Sequence, residues 1–328
     1  MRRDIAGPEI AGVGAYLPRR IVTNEELART VETSDAWIAE RTGIRQRHIA
    51  GAEETAAFMA TAAAREAMSH AGATADQIDA VIVATSTPDQ AFPAVALRVQ
   101  AALGMTRGFG FDLGAACSGF VYGLAVADRM MRADAPGAGA LKNVLVIGVE
   151  VFSRLVDWKD RGTCVLFGDG AGAVLLRASG DPERGIISTH LHADGRLGDI
   201  LYVDGALGRP ELPGTVVMHG REVFRHAVAK LAETVEEALA ANHLQPTDID
   251  WLVPHQANLR IIEAMGRKLG LSPERVVVTV DRHGNTSAAS IPLALNEACR
   301  DGRIKRGDLI LMEALGAGLT WGSALVRY

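Results

Sequence analysis

Ile78-Asp79-Ala80-Val81-Ile82-Val83-Ala84-Thr85 is a continuous aliphatic run, and 171 positions later Ile249-Asp250-Trp251-Leu252-Val253 repeats its opening. Each follows a helical stretch. The first covers 55–68, is rich in alanine and ends near Gly72, where a residue free to adopt positive φ can close a helix. The second covers about 222–241 and leads into the turn Pro246-Thr247-Asp248-Ile249-Asp250. Two further pairs keep the same order. Phe109-Gly110-Phe111-Asp112 and Val278-Thr279-Val280-Asp281 both read as strands leading into small residues and a helix, with Asp112 and Asp281 169 positions apart. Asn143-Val144-Leu145-Val146-Ile147-Gly148 and Asp308-Leu309-Ile310-Leu311-Met312-Glu313 both precede segments of glycine and alanine. Three ordered echoes indicate an internal duplication. Unbroken Val/Ile/Leu strands alternating with helices are strands buried on both faces. Each half, 1–178 and 179–328, is therefore expected to form an α/β layer, and the halves to stack into a layered sandwich. Function is expected where the strand ends of both halves converge.

Composition narrows the class. The 328 residues are 48% hydrophobic with 35 glycines, which suits a closely packed globular chain. A formal charge of -5, with no long Lys/Arg run, argues against a nucleic-acid partner. The start, Met1-Arg2-Arg3-Asp4-Ile5-Ala6-Gly7-Pro8, leads into no apolar core of a signal peptide, and no later segment approaches a membrane span. No membrane association is expected, and the cytoplasm is the expected location. Three cysteines, Cys117, Cys164 and Cys299, give neither a disulfide framework nor metal-ligand spacing.

Cys117 lies in Gly114-Ala115-Ala116-Cys117-Ser118-Gly119-Phe120, between a strand ending at Leu113 and a helix reaching about Met131. A lone cysteine is more often a buried structural thiol. A strand-turn-helix setting favours a nucleophile instead, because the helix N-terminus is expected to lower the thiol pKa and the turn can aim N–H groups at a developing oxyanion. Cys164 sits in an apolar, strand-like run and Cys299 late in a helix beside Arg300, so both read as structural thiols. His255 follows the second aliphatic strand in Leu252-Val253-Pro254-His255-Gln256-Ala257-Asn258, where a side chain can project into a cleft or serve as a bonded structural histidine. Asn285, in His283-Gly284-Asn285-Thr286-Ser287-Ala288-Ala289-Ser290, lies near the duplicated counterpart of the Cys117 turn, though a capping role is the plainer alternative. Gly168-Asp169-Gly170-Ala171-Gly172-Ala173 fits a dinucleotide fingerprint by letter, yet it leads into strand-like Val174-Leu175-Leu176, which does not support nucleotide binding. His190 and His192 can share a strand face, but no third ligand completes a metal set.

With these residues in view, the chain resembles the β-ketoacyl-acyl carrier protein synthase III family, the initiating condensing enzymes of bacterial fatty-acid synthesis. The motifs are Thr33-Ser34-Asp35-Ala36-Trp37-Ile38, Arg41-Thr42-Gly43-Ile44-Arg45, the Cys117 turn, Gly168-Asp169-Gly170-Ala171-Gly172, Val253-Pro254-His255-Gln256-Ala257-Asn258 and Thr320-Trp321-Gly322-Ser323. They cover nearly the full chain. The resemblance implies a thiolase-like αβαβα sandwich of two duplicated halves. It implies that Cys117 takes a short acyl group from acyl-CoA and that malonyl-acyl carrier protein then loses carbon dioxide and attacks the acyl-enzyme. His255 and Asn285 would bond the malonyl thioester oxygen, and the backbone N–H groups of Cys117 and Ala317 would hold the acyl oxyanion. Trp37, Arg41, Arg161, Asn258 and Arg260 would bind coenzyme A. Phe92, reaching across a homodimer interface, and Leu319 would shape the acyl pocket. Arg225, Arg260, Arg267 and Lys268 would receive the carrier protein, although Arg267 and Lys268 equally fit a solvated helix face. Coenzyme A enters as a thioester substrate, so no cofactor and no metal is implied.

The chain departs from the family at Leu315-Gly316-Ala317-Gly318-Leu319-Thr320, where a more uniform glycine run followed by Phe is usual. Backbone donation survives that change, while the pocket shape is left open. Two other readings stand beside this one. The first is a related synthase or acyltransferase of specialised metabolism with another donor or acceptor. The second is a noncatalytic carrier-protein-binding subunit, against which the joint presence of Cys117, His255 and Asn285 argues.

Overall fold

The computed structural model describes residues 7–132, 141–181, 183–205, 212 and 214–328. Residues 1–6, on which the reading of the N-terminus partly rests, lie outside the described residues. The first half carries β1 (Glu9–Tyr16), β2 (Arg20–Thr23), β3 (Gln46–Ile49), β4 (Ala80–Ala84), β5 (Phe109–Leu113), β6 (Asn143–Val151) and β7 (Asp169–Arg177). Its helices are α1 (Asn24–Leu27), α2 (Asp35–Thr42), α3 (Ala56–Ala71), α4 (Val95–Leu103) and α5 (Gly119–Arg132). The second half carries β8 (Gly185–Ala193), β9 (Leu201–Val203), β10 (Val216–Met218), β11 (Trp251–Pro254), β12 (Leu309–Gly316) and β13 (Thr320–Arg327). Its helices are α6 (Gly220–Ala241), α7 (Leu259–Lys268), α8 (Val280–His283) and α9 (Ser290–Arg300).

The duplication is visible in the topology. One sheet runs β1-β7-β6-β4-β5 and the other β8-β13-β12-β11, so four strands of each occupy matching places. Local backbone detail follows the 171-residue spacing. Thr74 and Gln245 each open a capping box ahead of a 3₁₀ turn. Gly72 (φ 62) and His243 (φ 57) both take the left-handed conformation that ends a helix, as do Ala116 (φ 45) and Ser287 (φ 49) at two later turns. By this spacing the counterpart of Cys117 is Ala288, and Asn285 matches Gly114.

The fifth strand is where the halves differ. Val278-Thr279-Val280-Asp281 is not a strand. Val276 makes a single parallel bridge to Leu252, and the chain enters α8 at Val280. The Gln256 side chain takes the place of a strand partner: Oε1 accepts from Thr279 N (2.8 Å) and Val280 N (3.1 Å), and Nε2 donates to Val277 O (3.0 Å). A side-chain amide satisfies the backbone groups that a ladder would otherwise pair.

Strand side chains alternate between two apolar layers. Val81, Val83, Leu145 and Ile147 pack with α3, whereas Ile82, Val144 and Val146 pack with α5 and α9. Helices α5 and α9 touch strands of both sheets, and α6 covers the far face of the second. The result is the expected five-layer αβαβα sandwich, built from the duplicated halves. The Gly168–Ala173 stretch runs into β7 and not into a helix. Cys164, expected in a strand, sits in a run of turns and is fully buried, because Thr163 and Cys164 N–H groups fold back onto Asp160 O. No described helix is long and apolar enough to cross a membrane.

Candidate active site

The two special turns meet at the centre of the molecule. β5 delivers the chain to Ala116, whose left-handed φ starts a 3₁₀ turn (Ala116–Ser118) that continues as α5. In the second half, Ser287 begins the matching 3₁₀ turn (Ser287–Ala289) that continues as α9. Gly148 of β6 lets this turn approach, since a Cβ there would lie 2.2 Å from Ala288 O. The 317–320 segment is stitched to the cysteine turn by Thr320 Oγ1, which bonds Ser118 Oγ (2.7 Å), Ala115 O (3.1 Å) and Ala317 O (3.1 Å). Gly316 closes the arrangement: a Cβ there would be 2.7 Å from Cys117 N. Cys117 and Ala317 thus border one small region.

Hydrogen bonding assigns the chemistry of the other two side chains. Ser290 Oγ accepts from Gln256 N (3.3 Å) and lies 2.6 Å from His255 Nδ1. With the Ser290 hydroxyl donating to Nδ1, the proton of the neutral imidazole is on Nε2. Burial holds His255 down at about 4, so the ring is neutral near pH 7. Asn285 Oδ1 accepts from Ser287 N (2.9 Å), which leaves Nδ2 as the end that donates. Two neutral donors therefore accompany one thiol.

The thiol itself departs from expectation. Burial pushes Cys117 up to about 12, with a bond from Ser287 opposing and the charge of Glu150 adding to the rise. Loss of water around a nascent thiolate thus acts against the lowering expected from the helix N-terminus. Cys164 is raised by burial as well, and Cys299 is pushed up to about 11 by the same cause. Neither lines the cavity.

Cys117, His255 and Asn285 all line one cavity of about 1070 Å³, together with Ala317. Trp37, Arg41, Asn258 and Arg260 line the same space. The guanidinium groups of Arg41 and Arg161 lie 4.6 and 4.7 Å from the Trp37 ring centre. Asn258 caps α7 through Arg260 N and donates to Arg41 O (3.1 Å), joining the second half to α2. Arg161 is exposed and donates to Glu32 O (2.9 Å).

Other expected residues lie elsewhere. Leu319 is fully buried in the core and does not line the cavity. Phe92 is 84% exposed, so it neither fills the core nor reaches the cavity of its own chain. Arg225 is exposed on α6, whereas Arg221, one turn earlier and not foreseen, lines the cavity. Arg267 pairs with Glu263 (3.6 Å) and Lys268 with Glu236 (2.8 Å). His190 and His192 do share a strand face, but both bond Glu237 (3.3 and 2.6 Å). Among the described residues no group of three His, Cys, Asp or Glu is arranged for a metal ion. Sequence reasoning also missed Ser290 and Glu150. Ser290 stood inside the quoted Asn285 segment, and only its spacing of one turn past Ser287 could have flagged it.

Comparison with known proteins identifies the family. The C-terminal model of 3-oxoacyl-[acyl-carrier-protein (ACP)] synthase III matches residues 239–328, and the companion synthase III model matches residues 111–195. The beta-ketoacyl-[acyl-carrier-protein] synthase III of Acidiphilium cryptum is 70% identical over 97% of this chain and 98% of its own length. That of Granulibacter bethesdensis is 68% identical over 100% of both. The crystal structure of 3-oxoacyl-[acyl-carrier-protein] synthase III from Aquifex aeolicus VF5 superposes with a TM-score of 0.92 at 48% identity, covering 98% of this chain and 100% of that one. The chain belongs to the 3-oxoacyl-[acyl-carrier-protein] synthase III family.

Proposed function

We propose that this chain is the initiating condensing enzyme of fatty-acid synthesis. It joins a short acyl group from acyl-CoA to malonyl-acyl carrier protein by decarboxylative condensation. The observation that carries the reading is the convergence of one thiol and two neutral hydrogen-bond donors, Cys117, His255 and Asn285, on one cavity.

In the first half-reaction the Cys117 sulfur attacks the acyl-CoA carbonyl, and coenzyme A leaves. The tetrahedral oxyanion accepts from the N–H groups of Cys117 and Ala317. In the second, the malonyl carboxylate leaves as carbon dioxide and its electron pair forms an enolate. His255 Nε2–H and Asn285 Nδ2–H donate to the enolate oxygen, which gains charge only as carbon dioxide departs. The enolate carbon then attacks the acyl-enzyme, and the C–S bond to Cys117 breaks. The reaction as written uses no cofactor, and substrates of this class support a cytoplasmic location.

Trp37 and Arg161 hold the adenine, while Arg41, Asn258 and Arg260 line the phosphate and pantetheine path. The stacked guanidinium groups on Trp37 support this assignment. Exposed Arg225 and Arg260 form the carrier-protein landing site, to which the paired Arg267 and Lys268 contribute less. We assign Phe92 to the acyl pocket of a second copy in a homodimer, on the ground that its ring has no cover in its own chain.

Intact-protein mass spectrometry tests the reading. The protein gains one acyl group from acetyl-CoA or another short acyl-CoA, and Cys117→Ala gains none. Asn285→Ala still acylates but does not condense with malonyl-carrier protein. A wild type left unmodified by a panel of acyl-CoA donors overturns the assignment.

A further inference from the structure

Behind the cysteine lies a carboxyl that the mechanism above does not use. Glu150 of β6 is fully buried. Ser86 N donates to both of its oxygens (3.1 Å each), Thr87 Oγ1 donates to Oε2 (2.6 Å), and Ser287 Oγ donates to Oε1 (3.2 Å). Ala288 N–H adds a further bond. All of these donors are neutral. Ser287 also lies against the Cys117 sulfur. A hydroxyl both accepts and donates, so Ser287 Oγ, which donates to Glu150 Oε1, keeps lone pairs that can take the Cys117 proton. Ser287 is held in place by its left-handed backbone, by its N–H bond to Asn285 Oδ1, and by the approach of its turn to Gly148.

We propose that Glu150, acting through the Ser287 hydroxyl, stores the Cys117 proton between the two half-reactions. The proposal rests on the condensing reaction assigned above. As the C–S bond forms, the sulfur proton passes to Ser287 Oγ and the Ser287 proton passes to Glu150 Oε1. Coenzyme A leaves as a thiolate and is protonated by water. In condensation the expelled Cys117 thiolate takes a proton from Ser287, which regains one from Glu150. The net reaction consumes one proton, the one that water gives to coenzyme A, and the enzyme returns to its starting state.

Electrostatics suit the task. Burial raises the carboxyl to about 7 against the pull of its four donors, so it can hold or release a proton near neutrality. The expelled thiolate, whose conjugate acid is raised to about 12, is a strong base that this acid readily protonates. Cys117 is the titratable group facing Glu150 from the nucleophile turn. Asp169 of β7 is turned toward Ala50 and Ser153, and Asp89 of the β4–α4 connection caps α3 at Ala56 and Ala57.

The test uses Glu150→Gln and Ser287→Gly, the latter because glycine accepts the left-handed φ without strain. Two readouts are followed against pH: alkylation of Cys117 by iodoacetamide, which needs no donor, and acylation by acetyl-CoA. In the wild type both rates rise with an inflection near pH 7. In both variants that inflection is lost, rates at pH 7 fall about 100-fold, and they converge with wild type at high pH, where the thiol ionises directly. A folded variant whose pH profile is unchanged, or whose rate is lower by the same factor at every pH, overturns the relay. Failure of the wild type to take acetyl from acetyl-CoA, or from the wider acyl-CoA panel, would instead count against the assigned reaction.

Discussion

Ser290→Ala isolates the part proposed for His255 in condensation. Ser290 Oγ sits 2.6 Å from His255 Nδ1 and 3.3 Å from Gln256 N, and all three residues are buried. Removing the hydroxyl frees Nδ1 and allows the ring proton to move there, which presents a bare Nε2 lone pair to the enolate oxygen. The lost bond is worth about 0.5–1.5 kcal/mol, and a buried N–H of Gln256 left unpaired costs about 1–3 kcal/mol more in stability. Condensation is therefore expected to slow about 10-fold, since about 1.4 kcal/mol corresponds to a factor of ten. Acylation of Cys117 does not use His255 and should change by less than about 2-fold. Stopped reactions followed by mass spectrometry separate the two steps, with acyl-CoA alone reporting the first and malonyl-carrier protein added to preformed acyl-enzyme reporting the second. Ser290→Thr keeps the hydroxyl and restores condensation if it packs. Equal loss in both steps, or unchanged condensation in a folded Ser290→Ala protein, refutes the tautomer assignment.

Two further outcomes follow from particular contacts. Gly316→Ala places a Cβ 2.7 Å from Cys117 N and 2.9 Å from Ala115 O, both backbone atoms. It should cut acylation at least about 100-fold, a loss comparable to removing an oxyanion donor, and a rate near wild type by mass spectrometry would contradict the close approach. Glu313, on β12 between the paired positions Pro254 and Ser323, is buried with neither oxygen bonded among the described residues, and burial raises it to about 8. The folded state keeps this proton after the unfolded chain has lost it near 4.5. Stability is thus fully present below that pH and falls as pH rises toward 8, by up to a few kcal/mol. Denaturant melts of Glu313→Gln should show a flatter decline from pH 5 to 8 than the wild type. An unchanged slope would mean that Glu313 is ionised in the fold.

Much of this protein is legible from order and periodicity alone. The aliphatic runs at Ile78 and Ile249 mark strands buried on both faces, because a strand that shows apolar residues at both parities has no side to give to water. Their spacing places the two left-handed turns, Ala116 and Ser287, in register, and the turns bring Cys117 and Asn285 to one cavity. The sequence therefore determines the duplicated sandwich and which of the three thiols meets Asn285. Tertiary structure alone decides what depends on neighbours distant in the chain. Gln256 replaces a strand ladder at Val277, Thr279 and Val280, a bonding pattern that the strand-like letters there do not reveal. Phe92 and Leu319 have similar apolar character, yet one is exposed and the other sealed in the core. The proton affinity of Cys117 is set by how completely the surrounding elements exclude water and by Glu150 and Ser287, which lie 33 and 170 positions along the chain. Desolvation and hydrogen bonding belong to the enclosing shell, so they exist only once both halves have closed around the site.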